Sequence, residues 1–125
     1  MPSIPLTNAT FDQTISDNDM VLVDFWAAWC GPCLRFGPVY EKVSEDHPDV
    51  VFGKVDTEVQ GELADDFGIR SIPTLMIFKD QIQIFAQAGA LPEQALRSLI
   101  DQAKALDMVQ VRAKIEAEHQ QHQHG

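Results

Sequence analysis

Cys30 and Cys33 are the chain's two cysteines, and only Gly31 and Pro32 lie between them. A sulfur attacks a disulfide as its thiolate, so the attacking member of such a pair needs a lowered pKa and an accessible atom. Before the pair, Val21-Leu22-Val23-Asp24-Phe25-Trp26 reads as a strand covered on both faces; after it, Phe36, Val39, Tyr40 and Val43 recur at helical spacing. Cys30 therefore stands where a strand gives way to a helix. Unpaired amide hydrogens and the positive end of the helix dipole there favour its anion. Cys33 follows about one turn later. Gly31 permits the close approach, and Pro32 stiffens the first turn, where a missing amide hydrogen costs little. A mixed disulfide on Cys30 is then within reach of Cys33, whose attack releases the reduced target and leaves an internal disulfide. Gly31 and Pro32 bring no charge or imidazole that would hold Cys30 as a very stable thiolate, which favours a reducing couple over an oxidising one.

Zinc binding is the first competing reading. It requires four ligands, and the other candidates are His47 and the tail histidines His119, His122 and His124, which share no rigid frame. An inert buried pair, the second, has no need of glycine and proline between its members. Asp24 is the other residue out of place, a carboxylate in an apolar strand where an unpaired charge is costly. It precedes Cys30 on the strand that feeds the turn, so its side chain can lie beneath the cysteines, reached through water. Desolvation would raise its pKa and suit it to take a proton from Cys33 and return it. A satisfied structural aspartate is the plainer alternative.

The elements that must position these groups follow from pattern. Pro38 is expected to kink the helix after Cys30, and Pro48 marks the latest point at which it can end. Val50, Val51, Phe52 and Val55 form a second strand, followed by a short helix from Glu58 to Phe67. Thr74 to Phe78 and Ile82 to Phe85 are two strands joined by a short polar link, a hairpin. Leu96, Leu99, Ile100, Ala103 and Leu106 mark the apolar face of a last helix starting near Pro92. Strand, helix, strand, helix and hairpin make an α/β pattern. Beyond Leu106 the stripe Met108, Val111, Ile115 is rotated by roughly 120° from the preceding one. It is read as packing on the domain or as a weak self-association surface, with a solvated helix as the alternative. The polar stretch from Glu116 to Gly125 is expected to fray. The domain thus spans residues 1–106 and a C-terminal extension residues 107–125.

With 125 residues, 45% hydrophobic and 22% charged, the chain suits one globular domain. Its formal charge of −10 repels phosphate backbones and anionic bilayers, which argues against nucleic-acid and membrane partners. No stretch approaches the roughly twenty apolar residues that span a bilayer, and Met1 to Asn8 has neither a basic start nor an apolar run. A cytoplasmic protein is expected.

Trp26-Ala27-Ala28-Trp29-Cys30-Gly31-Pro32-Cys33 behind Val23-Asp24-Phe25, together with Ser71-Ile72-Pro73-Thr74 and Ala88-Gly89-Ala90-Leu91, resembles the signature of the thioredoxin family. The resemblance runs from Leu6 to Ala103. It implies a three-layer fold, a central mixed β-sheet flanked by helices, with the hairpin at one side. It implies a protein-disulfide reductase with Cys30 as nucleophile, Cys33 as resolving thiol and Asp24 as proton carrier. Gly31, Pro32 and Lys54 would support the site, Lys54 by moderating Asp24. Ile72-Pro73 would be a cis bond facing the cysteines, and Trp29, Ile72, Pro73 and Gly89 would border a groove for an extended substrate segment. Disulfide-containing proteins are the implied targets, and an NADPH-dependent flavoprotein reductase the electron source, with no cofactor bound to the domain itself. A redox-gated binding subunit or chaperone would use the same groove. The chain departs from the family pattern in three places. Leu34 follows Cys33 where many relatives carry lysine, with Arg35 next. Asp80-Gln81 fills the hairpin link without glycine, which counts against type I′ geometry. The extension is the third.

Overall fold

The computed structural model describes residues 3–124. Five strands form one mixed sheet: β1 (Ser3–Pro5), β2 (Met20–Trp26), β3 (Val51–Asp56), β4 (Thr74–Lys79) and β5 (Ile82–Ala88), in the order β1-β3-β2-β4-β5. β3 runs parallel to both β1 and β2, whereas β4 is antiparallel to β2 and to β5. Residue alternation along the strands sends successive side chains to opposite faces. One face carries Met20, Leu22, Leu75 and Ile77 against Phe36, Tyr40 and Val43 of α2 (Gly31–Ser44) and Leu96 and Ile100 of α4 (Glu93–Ala105). The other carries Val21, Val23, Phe25 and Phe78 against Phe11 of α1 (Phe11–Asp17) and Leu63 of α3 (Gly61–Asp66). The expected three-layer arrangement is present.

α2 continues through Pro38 and ends at Ser44, before Pro48, within the limit read from the sequence. Several other local expectations change. α3 starts at Gly61, later than expected, because the amides of Val59 and Gln60 already turn back to the Asp56 carbonyl. Asp80 and Gln81 have φ of 50° and 69°, so the hairpin adopts the two positive φ values of a type I′ turn without glycine. Two partners hold this turn: the Asp80 amide donates to the Asp19 carbonyl at 2.8 Å, and Arg112 Nη2 donates to the Asp80 carbonyl at 3.0 Å. Leu106 is not on the buried stripe of α4 but at its C-cap, 39% exposed. There Lys79 Nζ donates to the carbonyls of Ala103, Lys104 and Leu106 at 2.8–3.0 Å, supplying both cation and donors to a helix end that needs them. The extension does not fray from Glu116. It continues as α5 (Met108–His124), since Ala, Glu, Gln and His offer no helix breaker before Gly125, which lies outside the described residues. No helix among the described residues is long and apolar enough to cross a membrane.

Candidate active site

The strand-to-helix junction forms as its residue types require. β2 ends at Trp26, the Cys30 amide donates to the Ala27 carbonyl at 3.2 Å, and Cys30 becomes the N-cap of α2 in extended conformation. Its sulfur plays the part of a capping oxygen: the Cys33 N–H donates to Cys30 Sγ at 3.2 Å. The two cysteines are joined as a disulfide, with Cα atoms 5.2 Å apart. On reduction the same amide and the helix N-terminus face a thiolate, the geometry that lowers a cysteine pKa. Arg35 adds a cation: its Nη1 lies 3.4 Å from where a Cβ on Gly31 would sit, so glycine keeps that space open.

Cys30 is less accessible than its chemistry suggested, with 4% exposure against 3% for Cys33. Ala27, Trp26 and Ile72 pack around the pair. Gly31 and Pro32 are exposed above it. The Ile72-Pro73 bond is cis, and the Ile72 carbonyl oxygen lies 3.7 Å from Cys30 Sγ. The Pro73 carbonyl accepts from the Gly89 amide at 2.8 Å, whereas no backbone hydrogen bond within the described residues engages the Ile72 amide. Gly89 has φ of 106° and open space where a side chain would be. Trp29 is 70% exposed, and with Ile72, Thr57, Ile69 and Arg70 it lines a depression of about 180 Å³ beside the disulfide. Ile72 thus lies against Cys30, with Pro73 next to it in the chain and Gly89 joined to Pro73, while Trp29 directly precedes Cys30.

Asp24 is fully buried, and neither carboxylate oxygen has a hydrogen-bond partner within the described residues. It shares the α2-facing side of β2 with Leu22 and Trp26. Burial pushes its carboxyl up to about 7, against a smaller opposing pull from the Lys54 ammonium. Lys54 stands beside it in register on β3, with Nζ 4.6 Å from the centre of the Trp26 ring and 3.8 Å from where a Cβ on Gly37 would lie.

Three residues at the site were not singled out for it from the sequence. Tyr40 is buried on the same face, donates to the Gly53 carbonyl at 2.8 Å, and has its phenol pKa raised by burial and then by the Asp24 charge. Glu58 accepts from Trp29 Nε1 at 2.5 Å and orients the indole. Thr74 Oγ1 donates to the Ser71 carbonyl at 2.5 Å and closes the turn that carries Ile72 and Pro73. Tyr40 read as core by spacing, Thr74 stood in the Ser71 to Thr74 signature without a role of its own, and nothing local marks Glu58.

A family model for thioredoxin matches residues 2–102. Putative thioredoxin 2 of Streptomyces coelicolor is 62% identical over 113 residues, 90% of this chain and 84% of the relative. Thioredoxin 1 of Synechococcus elongatus is 44% identical over 98 residues, 77% of this chain and 92% of that one. Among solved structures, a mutant thioredoxin from Halobacterium salinarum aligns with a TM-score of 0.76 at 38% identity, covering 85% of this chain and 96% of the other. The oxidised thioredoxin of Plasmodium falciparum aligns with a TM-score of 0.74 at 36% identity, covering 82% and 99%. With a dithiol pair at disulfide distance on this fold, and these relatives, the chain belongs to the thioredoxin family of thiol-disulfide oxidoreductases.

Proposed function

We propose that the chain is a cytoplasmic protein-disulfide reductase. The Cys30 thiolate attacks one sulfur of a target disulfide. A Cys30–target bond forms and the target's other sulfur leaves with the electron pair. Cys33 then gives up its proton and attacks Cys30 Sγ, so the internal disulfide forms and the second target sulfur leaves reduced. Asp24 receives the Cys33 proton through water and returns it when the domain is recharged. An acceptor with a pKa near 7 is matched to that exchange at neutral pH. Trp29, Ile72, Pro73 and Gly89 hold an extended target segment, with the Ile72 amide as its edge partner. Disulfide-containing proteins are the targets, and an NADPH-dependent flavoprotein thioredoxin reductase returns the electrons.

The observation that carries this reading is the Cys30 sulfur held by the Cys33 amide at the start of α2, on the sheet face where Asp24 is buried. Reduction of insulin disulfides with dithiothreitol as electron donor tests it. The chain accelerates precipitation of the insulin B chain, Cys30→Ser abolishes the acceleration, and Cys33→Ser stops after one turnover with target trapped on Cys30. Equal rates with and without protein overturn the reading and favour a groove that binds without turning over.

A further inference from the structure

Cations are scarce in this chain, and most of them are committed. Nine lysines and arginines stand against nineteen acids. Lys42, Arg97 and Lys104 pair with Glu93, Asp46 and Asp49, Lys79 and Arg112 donate to carbonyls, and Lys54 lies over the Trp26 ring beside Asp24. Arg35, Arg70 and Lys114 have no hydrogen-bond or ion-pair partner among the described residues. Lys114 belongs to α5, whereas both arginines stand beside the disulfide. An exposed arginine in so acidic a chain, held by none of its acids, is free to take a carboxylate from outside.

Arg70 supplies the charge in the depression beside Cys30, whose other walls, Trp29, Thr57, Ala64, Ile69 and Ile72, are neutral. The acids near it in the fold do not compete. Glu58 accepts from Trp29 Nε1, Asp56 accepts from the Glu58 amide, and neither they nor Glu62, Asp65 and Asp66 of α3 line the depression. Arg35 comes from a different element. It lies one turn along α2 from Gly31, and its exposed guanidinium folds back over that turn, Nη1 being 3.4 Å from where a Cβ on Gly31 would sit. An extended segment that pairs with Ile72 and presents its sulfur to Cys30 therefore carries the neighbours of that sulfur within reach of both arginines. The planar fork of a guanidinium suits a carboxylate, with two parallel hydrogen bonds.

We propose that Arg35 and Arg70 select target disulfides flanked by acidic residues, a carboxylate beside the target sulfur entering the depression next to Trp29 and pairing with Arg70. The inference rests on the reductase reading of the site and names the class of target it prefers. The net charge of −10 does not prevent this. At about 0.15 M salt, exposed charges more than roughly 8 Å apart are largely screened, so the two arginines at the groove outweigh acids elsewhere on the surface. Charges so placed act on encounter and on discrimination between partners.

Two short peptides test it at about 0.15 M salt, each a dimer joined through one cysteine disulfide, identical except that glutamates flank the cysteine in one and lysines in the other. The rate at which the pre-reduced full chain reduces each peptide is divided by the rate with dithiothreitol, whose thiolate responds as Cys30 does to the effect of flanking charges on the sulfurs. The wild-type protein prefers the glutamate peptide by about tenfold, and the preference shrinks to less than about twofold in about 1 M salt. Arg35→Gln and Arg70→Gln each lower it by about threefold. Arg70→Glu in the Arg35→Gln background inverts it. A change in Cys30 acidity slows both peptides alike, so the ratio reads selection alone. Equal normalised rates in the wild-type protein, or a preference that survives loss of both arginines, overturn the selectivity and leave the reductase reading standing. Reduction of neither peptide overturns both.

Discussion

Asp24 couples stability to chemistry through one proton. An unfolded aspartate ionises near 3.8, and the folded one at about 7. Between those values the folded state keeps a proton that the unfolded state has released, so folding stability falls as pH rises from about 4 to about 7 and stays low above. Three pKa units correspond to roughly 4 kcal/mol, at 1.36 kcal/mol per unit. Asp24→Asn removes that dependence. The variant should be more stable than wild type by on the order of 3 kcal/mol at pH 8 and nearly equal to it at pH 4, allowing for an amide that is itself unpaired. Urea melts at the two pH values check this, and a difference independent of pH would show that burial of the charge is not the cause. Turnover of the same variant should slow, with the mixed disulfide on Cys30 accumulating. This part of the site was readable in the sequence because a charge among Val, Leu and Phe violates the pattern around it. Glu58 and Thr74 violate nothing: their partners, Trp29 and Ser71, meet them only through loop geometry that no local periodicity encodes.

At the scale of elements, Gly53 shows how little the sheet tolerates at its centre. It pairs with Ile4 on one side and Val23 on the other, and its carbonyl accepts from Tyr40. A Cβ there would lie 2.9 Å from Leu6 Cγ, with Cδ1 closer still and the Leu22 carbonyl oxygen at 3.3 Å. Leu6 is itself buried, so it cannot swing clear without opening the face that packs on α1. Gly53→Ala should cost about 1–3 kcal/mol as overpacking. Urea melts read the loss as a lower midpoint with unchanged slope; an unchanged midpoint would mean that the β1 segment yields freely. The long central strands and the helices α2 and α4 were readable because each carries enough apolar residues to define a period. β1 and α1 were not. Ser3-Ile4-Pro5 is too short and contains a proline, and α1 offers mainly Phe11 and Ile15 to the core. Their placement depends on β3 and Gly53, a tertiary fact.

At the scale of the whole molecule, the sheet separates two ends with different tasks. The redox end gathers Cys30, Trp29, Ile72 and Pro73, and the far end gathers Lys79, Asp80, the close of α4 and the start of α5. Lys79 satisfies carbonyls no further along than Leu106, so the far end is closed before the extension begins. Past that point, among the described residues, the domain gains the burial of Met108, part of Val111 and an exposed hydrogen bond from Arg112. A chain ending at Leu106 should therefore fold cooperatively, lose about 2 kcal/mol, mostly the Met108 side chain, and reduce insulin as fast as the full chain. Urea melts and the insulin assay on the truncated protein decide the matter. A truncated chain that fails to fold would move the domain boundary past α5. A slowed one would tie the two ends together through the sheet, contrary to the independence that the local closure by Lys79 implies.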